Sequence, residues 1–116
     1  MEKDPFIFIE HIFESIKIIN DYTRDKSFND FKNSIQLQDS VIRRLEIIGE
    51  AIQNIPHKIR DKYEKIPWRE IAGLRDILIH QYFGIDLELT WEVIKTDLPE
   101  LDRNIKTILD NKRKKY

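Results

Sequence analysis

Four side chains able to do chemistry stand within eight residues of one another near the middle of the chain: Arg75, Asp76, His80 and Tyr82. An imidazole titrates near neutrality and can take or give a proton. A guanidinium forks onto phosphate oxygens and stabilises charge that develops on them. A carboxylate can orient either group, and a phenol offers a hydroxyl and a flat ring. Together these types can move protons and hold an anion. The spacing also fits something plainer. Asp76 and His80 are four apart, so on a helix they lie on adjacent turns and can form a structural ion pair.

The residues between them decide what holds the group. Ile71, Ala72, Leu74, Ile77, Leu78 and Ile79 spread around most of the circumference of a helix that Pro67 opens and Gly84 stops. A helix apolar on nearly every side is buried, in a core or in an interface. Polar groups in such a rod are costly unless paired, typically a few kcal/mol each. At about 100° per residue Arg75 and Tyr82 share a face, Asp76 and His80 share a neighbouring one, and Arg75 and His80 stand about 140° apart. That separation is awkward for one compact site on one helix. Either Arg75 reaches round with its long arm or a second subunit completes the site. A copy of this helix packed across a two-fold axis gathers two arginines and two histidines in one cleft. Gly73 either lets such helices approach closely or eases packing inside one subunit.

The remaining elements read as helices too. Asp4 with Pro5 marks a helix start, and Phe6, Ile9, Phe13 and Ile16 carry that helix to about Tyr22. Ser27 with Asp30 resembles a capping box. It opens a long second helix on which Leu37, Val41, Leu45, Ile48, Ile52 and Ile55 recur at steps of three and four, ending at Pro56. A short helix is expected from about His57 to Glu64. Asp86 caps a segment with Leu87, Trp91 and Ile94, and Asp97-Leu98-Pro99-Glu100 sets up a final helix through Leu101, Ile105 and Ile108. No alternating apolar-polar run of useful length occurs. The expected fold is all-α, an up-and-down bundle of five to six helices in one domain over residues 1–116, with 112–116 a frayed basic tail.

Composition narrows the function classes. Twenty basic residues face 21 acidic ones, a net charge of −1. This argues against a protein that coats DNA but leaves room for a local basic groove. With no cysteine, disulfide frameworks, thiolate zinc sites and cysteine nucleophiles are excluded, and an intracellular protein is the natural reading. The first residues lack a signal-peptide pattern, and no apolar run reaches the roughly 18 residues of a membrane span. The expected location is the cytoplasm. Asp76 with His80 alone makes a poor metal site, paired E-x-x-H motifs are missing, and no cofactor is expected. His11 and His57 read as ordinary helix residues, and Trp68 and Trp91 as core. Glu50, buried on the long helix if its periodicity holds, could neutralise Arg75 or serve the structure alone.

At Arg75-Asp76-Ile77-Leu78-Ile79-His80-Gln81-Tyr82-Phe83 the sequence resembles the R-x-x-x-x-H-x-Y motif of HEPN domains, specifically the HepT-like toxins paired with minimal nucleotidyltransferase antitoxins. Glu46-Ile47-Ile48-Gly49-Glu50-Ala51 resembles the G-E-A stretch of that family's long helix. Pro67-Trp68-Arg69-Glu70-Ile71-Ala72-Gly73-Leu74 resembles its tryptophan-led approach to the motif, and Leu87 to Trp91 with Asp97-Leu98-Pro99 its tail. The four ordered segments cover about residues 37 to 109. Where the family often has asparagine after the motif arginine, this chain has Asp76.

The resemblance implies an all-helical HEPN-fold homodimer with a composite cleft at its interface, and metal-independent endonucleolytic cleavage of RNA by a toxin. Arg75 and His80 would be catalytic, with Asp76 orienting His80 or holding Arg75. Tyr82 would contact the RNA and would also be the target to which a nucleotidyltransferase antitoxin attaches AMP. A reading of another class stands beside it: a non-catalytic helical partner that binds nucleotide or docks a nucleotidyltransferase through the same residues. A plain bundle with a buried ion pair is the third.

Overall fold

The computed structural model describes residues 4–80 and 84–115, with the backbone alone for His80 and for 113–115. The chain is all-α in character. Among the described residues eight helices follow one another, interrupted by one antiparallel ladder of two residues a side.

Helix α1 spans Phe6–Thr23. The Asp4 carboxylate accepts from the Phe6 N–H at 2.9 Å, satisfying one of the donors a helix start leaves open. Its fully buried stripe is Ile9, Ile12, Ile16 and Ile19, spaced three, four and three. Each such side chain contributes roughly 1.5–3 kcal/mol relative to exposure. That stripe lies against α3, Ile35–Gln53, whose inner face is Val41, Leu45, Ile48 and Ile52.

The capping box at Ser27 is present. The Ser27 hydroxyl accepts from the Asp30 N–H at 3.1 Å, and the Asp30 carboxylate accepts from the Ser27 N–H at 2.9 Å. It starts a separate short helix, α2 (Phe28–Lys32), and not the long one. The long helix has its own cap, Ser34, whose hydroxyl accepts from the Leu37 N–H at 3.1 Å. Beyond α3, Pro56 stops the helix as expected, and the Arg60 guanidinium donates to the Ile52 carbonyl, which also accepts from the Ile55 N–H at 3.1 Å. Arg60 belongs to α4, His57–Lys62.

The expected rod from Pro67 to Gly84 is not one helix. It breaks at Gly73 into α5 (Trp68–Ala72) and α6 (Leu74–Leu78). Then it leaves helical geometry: β1 (Ile79–His80) pairs with β2 (Gly84–Ile85), Ile79 opposite Ile85 and His80 opposite Gly84. Isoleucine side chains branched at Cβ favour extended backbone. Gly84 holds φ at +75°, a left-handed turn that glycine takes without steric cost. The Asp86 N–H donates to the Leu78 carbonyl at 2.7 Å, and the ladder takes up groups that a longer helix would have used.

Asp86 then caps α7 (Leu87–Glu92), its carboxylate accepting from the Leu89 N–H at 3.1 Å. The final helix expected from Asp97 onward is instead continuous with α7. A wide turn at Val93–Asp97, with the Leu98 N–H reaching the Val93 carbonyl five residues back, joins α7 to α8 (Leu98–Lys115). Pro99 has no N–H to give, and the widened turn just before it lets the backbone run on. Leu98, Leu101, Ile105 and Ile108 of α8 complete the core against α1. No helix among the described residues is long and apolar enough to cross a membrane.

Candidate active site

Helix α6 carries Arg75 and Asp76 on the outer side of the bundle, while Leu78 on its inner side is fully buried. The sequence requires this division: of the apolar residues in the segment, Ile71 and Leu78 go inward, and Ile77 is left 51% exposed. The segment is therefore not buried on every side within one chain. An isoleucine half in water directly beside an arginine and an aspartate is the kind of apolar exposure that marks a contact surface.

Arg75 is anchored from α3. Its Nε lies 3.3 Å from Oε2 of Glu46, and its Nη1 lies 3.7 Å from Oδ1 of Asp76. Half of the Arg75 side chain is exposed, Glu46 is 29% exposed, and Asp76 is 86% exposed. The pair with Glu46 holds the guanidinium in one place on the surface, and an exposed pair of this kind contributes at most about 1 kcal/mol to stability. Its effect is orientation. Glu46 takes Nε and Asp76 stands nearest Nη1, while half of the side chain stays exposed, where an anion can meet it.

Several expectations meet the geometry here. Asp76 lies beside Arg75, one of the two roles foreseen for it. Helix α6 ends at Leu78 and His80 sits on β1, so the i,i+4 spacing of a continuous helix does not relate Asp76 to His80. The angle of about 140° that a continuous helix would impose between Arg75 and His80 does not apply for the same reason. The His80 side chain and the whole of Tyr82 lie outside the described residues. Glu50, expected to be buried, is exposed on α3, and the carboxylate paired with Arg75 is Glu46, one turn earlier.

Two positioning features went unnoticed in the sequence. Glu46 is one. The other is Gly49: a Cβ built there would stand 3.0 Å from the carbonyl oxygen of Ala72. The backbones of α3 and α5 touch at this point, and the contact fixes the helix that leads into Arg75. A glycine inside a long apolar-periodic helix was the available signal, since it marks close packing. Gly73, the glycine singled out from sequence, has ordinary room, its nearest neighbours being the Arg69 and Glu70 carbonyl oxygens at 3.6 and 3.8 Å.

On the other flank of α5 and α6, against the start of α8, lies a cavity of about 290 Å³ with an apolar floor including Ile71, Leu74 and Leu101. Its rim carries Glu70, Asp97 and Glu100, which repel phosphate. Of these two flanks, the Arg75 side is the one that can meet a phosphate. Among the described residues no group of three or more histidines and carboxylates converges in a way that could hold a metal ion.

A family model described as Ribonuclease HepT-like matches residues 12–108. A protein of Methanocaldococcus jannaschii named "Gamma-glutamylcyclotransferase and putative RNase" is 55% identical over 120 residues, covering 100% of this chain and 54% of that protein. The chain thus spans about half the length of this relative. The "Probable ribonuclease HepT" of Thermococcus cleftensis is 47% identical over 101 residues, covering 87% of the chain and 92% of that protein. No solved structure matches the chain.

Proposed function

The chain belongs to the HepT-like ribonuclease family and is a ribonuclease; on that premise we propose that it is a toxin that cuts RNA internally without a metal ion, in a cleft shared by two copies of the chain. The observation that carries this reading is Arg75, held by Glu46 on an outward face with half of its side chain exposed, five residues before His80 and beside an exposed Ile77. One arginine and one histidine are half of what strand cleavage needs. Two copies related by a two-fold axis supply two of each.

The chemistry is as follows. The 2′-oxygen of a ribose attacks the adjacent phosphorus while one His80 imidazole takes the hydroxyl proton. The bond from phosphorus to the 5′-oxygen breaks, and the imidazolium of the second His80 protonates that leaving oxygen. The products carry a 2′,3′-cyclic phosphate and a free 5′-hydroxyl. Arg75 neutralises charge on the non-bridging oxygens as the phosphorus becomes five-coordinate. Asp76 and Glu46 keep the guanidinium aimed.

Tyr82, two residues past His80, is the proposed point of control. A nucleotidyltransferase antitoxin attaching AMP to its hydroxyl would place phosphate beside Arg75, in the space that the RNA phosphate must enter. The substrate is RNA and the partners are a second copy of the chain and the antitoxin.

The test uses purified protein, labelled RNA and excess chelator. The chain cleaves, Arg75→Ala and His80→Ala lose at least about 100-fold in rate, and the products end in cyclic phosphate. Equal cleavage by all three proteins would remove both residues from the chemistry. RNA binding without cleavage would favour the non-catalytic docking partner.

A further inference from the structure

The start of α1, α4 and the end of α8 meet at one end of the bundle around a cavity of about 230 Å³ that shares no residue with the Arg75 site. Phe6 and Tyr63 line it with aromatic rings, and Lys58, Lys62 and Lys112 bring ammonium groups to it. The Lys112 Nζ stands 5.0 Å from the centre of the Phe6 ring, and the Lys62 Nζ stands 5.8 Å from that of Tyr63. Asn111 donates to the Tyr63 hydroxyl oxygen at 3.0 Å, pinning the phenol while its own proton remains available to an acceptor. The Trp68 indole N–H donates to the Tyr63 carbonyl at 3.2 Å, so ring and backbone are both fixed.

Charge decides what such a cavity takes. Lys112 is committed, its Nζ 3.0 Å from Asp4 and 4.0 Å from Glu10. Lys58 and Lys62, four apart on one face of α4, are exposed and make no ion pair among the described residues. Among the described residues no carboxylate lines the cavity, in contrast to the acid-rimmed one beside α8. The sequence continues from Lys112 into Arg113-Lys114-Lys115, adding positive charge at this end of the chain.

We propose that this cavity binds an unpaired nucleotide, its base against the Phe6 and Tyr63 rings and its phosphate on Lys58 and Lys62. Sites that enclose a whole small ligand usually measure about 300–1,000 Å³. This smaller one takes a base and leaves the phosphate at the mouth, where the two uncommitted lysines are. Aromatic rings with adjacent cations are the pattern by which single strands are held without a fixed sequence. The proposal deepens the ribonuclease reading, giving an unpaired stretch of RNA a hold away from Arg75. The same chemistry also fits a free mononucleotide.

The experiment titrates the chain with a short single strand methylated at every 2′-oxygen, so that attack by that oxygen is blocked, and carrying one 2-aminopurine. Anisotropy and 2-aminopurine quenching are both followed. The joint change Lys58→Glu and Lys62→Glu is expected to weaken binding at least 10-fold and to lower the slope of log affinity against log salt by about 0.7 for each phosphate no longer neutralised. Tyr63→Leu is expected to weaken binding roughly 5- to 100-fold and to abolish the quenching, with the salt slope unchanged. If Tyr63→Leu does not fold, the lysine change decides alone, because both side chains are exposed. Competition by AMP with the same lysine dependence assigns the cavity to a free nucleotide; its failure to compete assigns it to RNA. Equal affinity and salt slope with and without the lysines overturns the proposal. The Arg75→Ala cleavage assay is scored separately. Undiminished cleavage there ends the Arg75 reading and leaves the cavity standing, while lysine-independent binding ends the cavity alone.

Discussion

Replacing Gly49 by alanine puts a methyl carbon where α3 and α5 leave it no space. The new Cβ would lie 3.0 Å from the Ala72 carbonyl oxygen, 3.7 Å from its carbon and 3.8 Å from its Cα. These are backbone atoms, so no side chain can swing aside. Ordinary contact requires α5 to move outward by about 0.4 Å. Two effects of opposite sign compete. Alanine in place of glycine favours a helix interior by about 1 kcal/mol, while forcing a methyl group into a packed contact typically costs about 1–3 kcal/mol. The steric effect wins, with a net loss of about 1 kcal/mol and a Tm lowered by roughly 4 °C. Cleavage suffers more than stability. Arg75 lies three residues past Ala72, and since a displacement of about 1 Å can cost about 100-fold, a few tenths of an ångström lower the rate roughly 3- to 10-fold. Thermal melts by circular dichroism and initial rates on labelled RNA measure both. Gly73→Ala is the control, since its Cβ meets only ordinary neighbours, and it melts no lower than wild type. Should Gly49→Ala match wild type in both melting and rate, the close approach would not be what places Arg75.

Ile77→Glu is expected to leave the single chain folded, since that side chain is 51% exposed. It should convert dimer to monomer in sedimentation and abolish cleavage; a variant that stays dimeric and active would move the interface elsewhere. Glu46→Ala is expected to lower kcat/KM about 10-fold with a stability change under about 1 kcal/mol, and Glu46→Gln to recover part of the loss. An equal loss in melting and in rate would make the pair purely structural. Asp30 has its carboxyl held below its ordinary value near 3.8, first by the Ser27 backbone N–H and then by the Ser27 hydroxyl. Its contribution is therefore present above that ordinary value and lost as pH falls through the lower folded one. Urea midpoints should separate wild type from Asp30→Asn near neutral pH and converge as the pH falls below the ordinary carboxyl value of 3.8, and a gap that persists in strong acid would contradict the capping role.

Much of this architecture was readable from spacing. Ile9 and Ile16 of α1, the inner face of α3 and the Asp86 cap follow from repeats and side-chain acceptors a few residues apart, where local geometry governs. What escaped was non-local. Nothing between Ile71 and Phe83 announces that the helix stops at Leu78, because the stop depends on Gly84 and Ile85 pairing back. Glu46 and Glu50 stand one turn apart on the same helix, about 40° of rotation from each other, and spacing alone does not say which meets an arginine 25 or more residues later. The motif around Arg75 was legible as a resemblance; the hand that holds it was not.

The widened turn at Val93–Asp97 gives one continuous rod two orientations. Before it, the Trp91 ring packs at a tilt against those of Phe31 and Phe28, centres 5.4 and 6.3 Å apart, serving the corner built by α2. After it, Leu98, Leu101, Ile105 and Ile108 serve α1. A surplus residue in the turn rotates the downstream half by about 100° relative to an unbroken helix, like a coupling that joins two shafts set at different angles. Deleting one residue from that turn would swing the entire α8 stripe away from its neighbour, so this part of the chain tolerates exchange of side chains far better than any change of length.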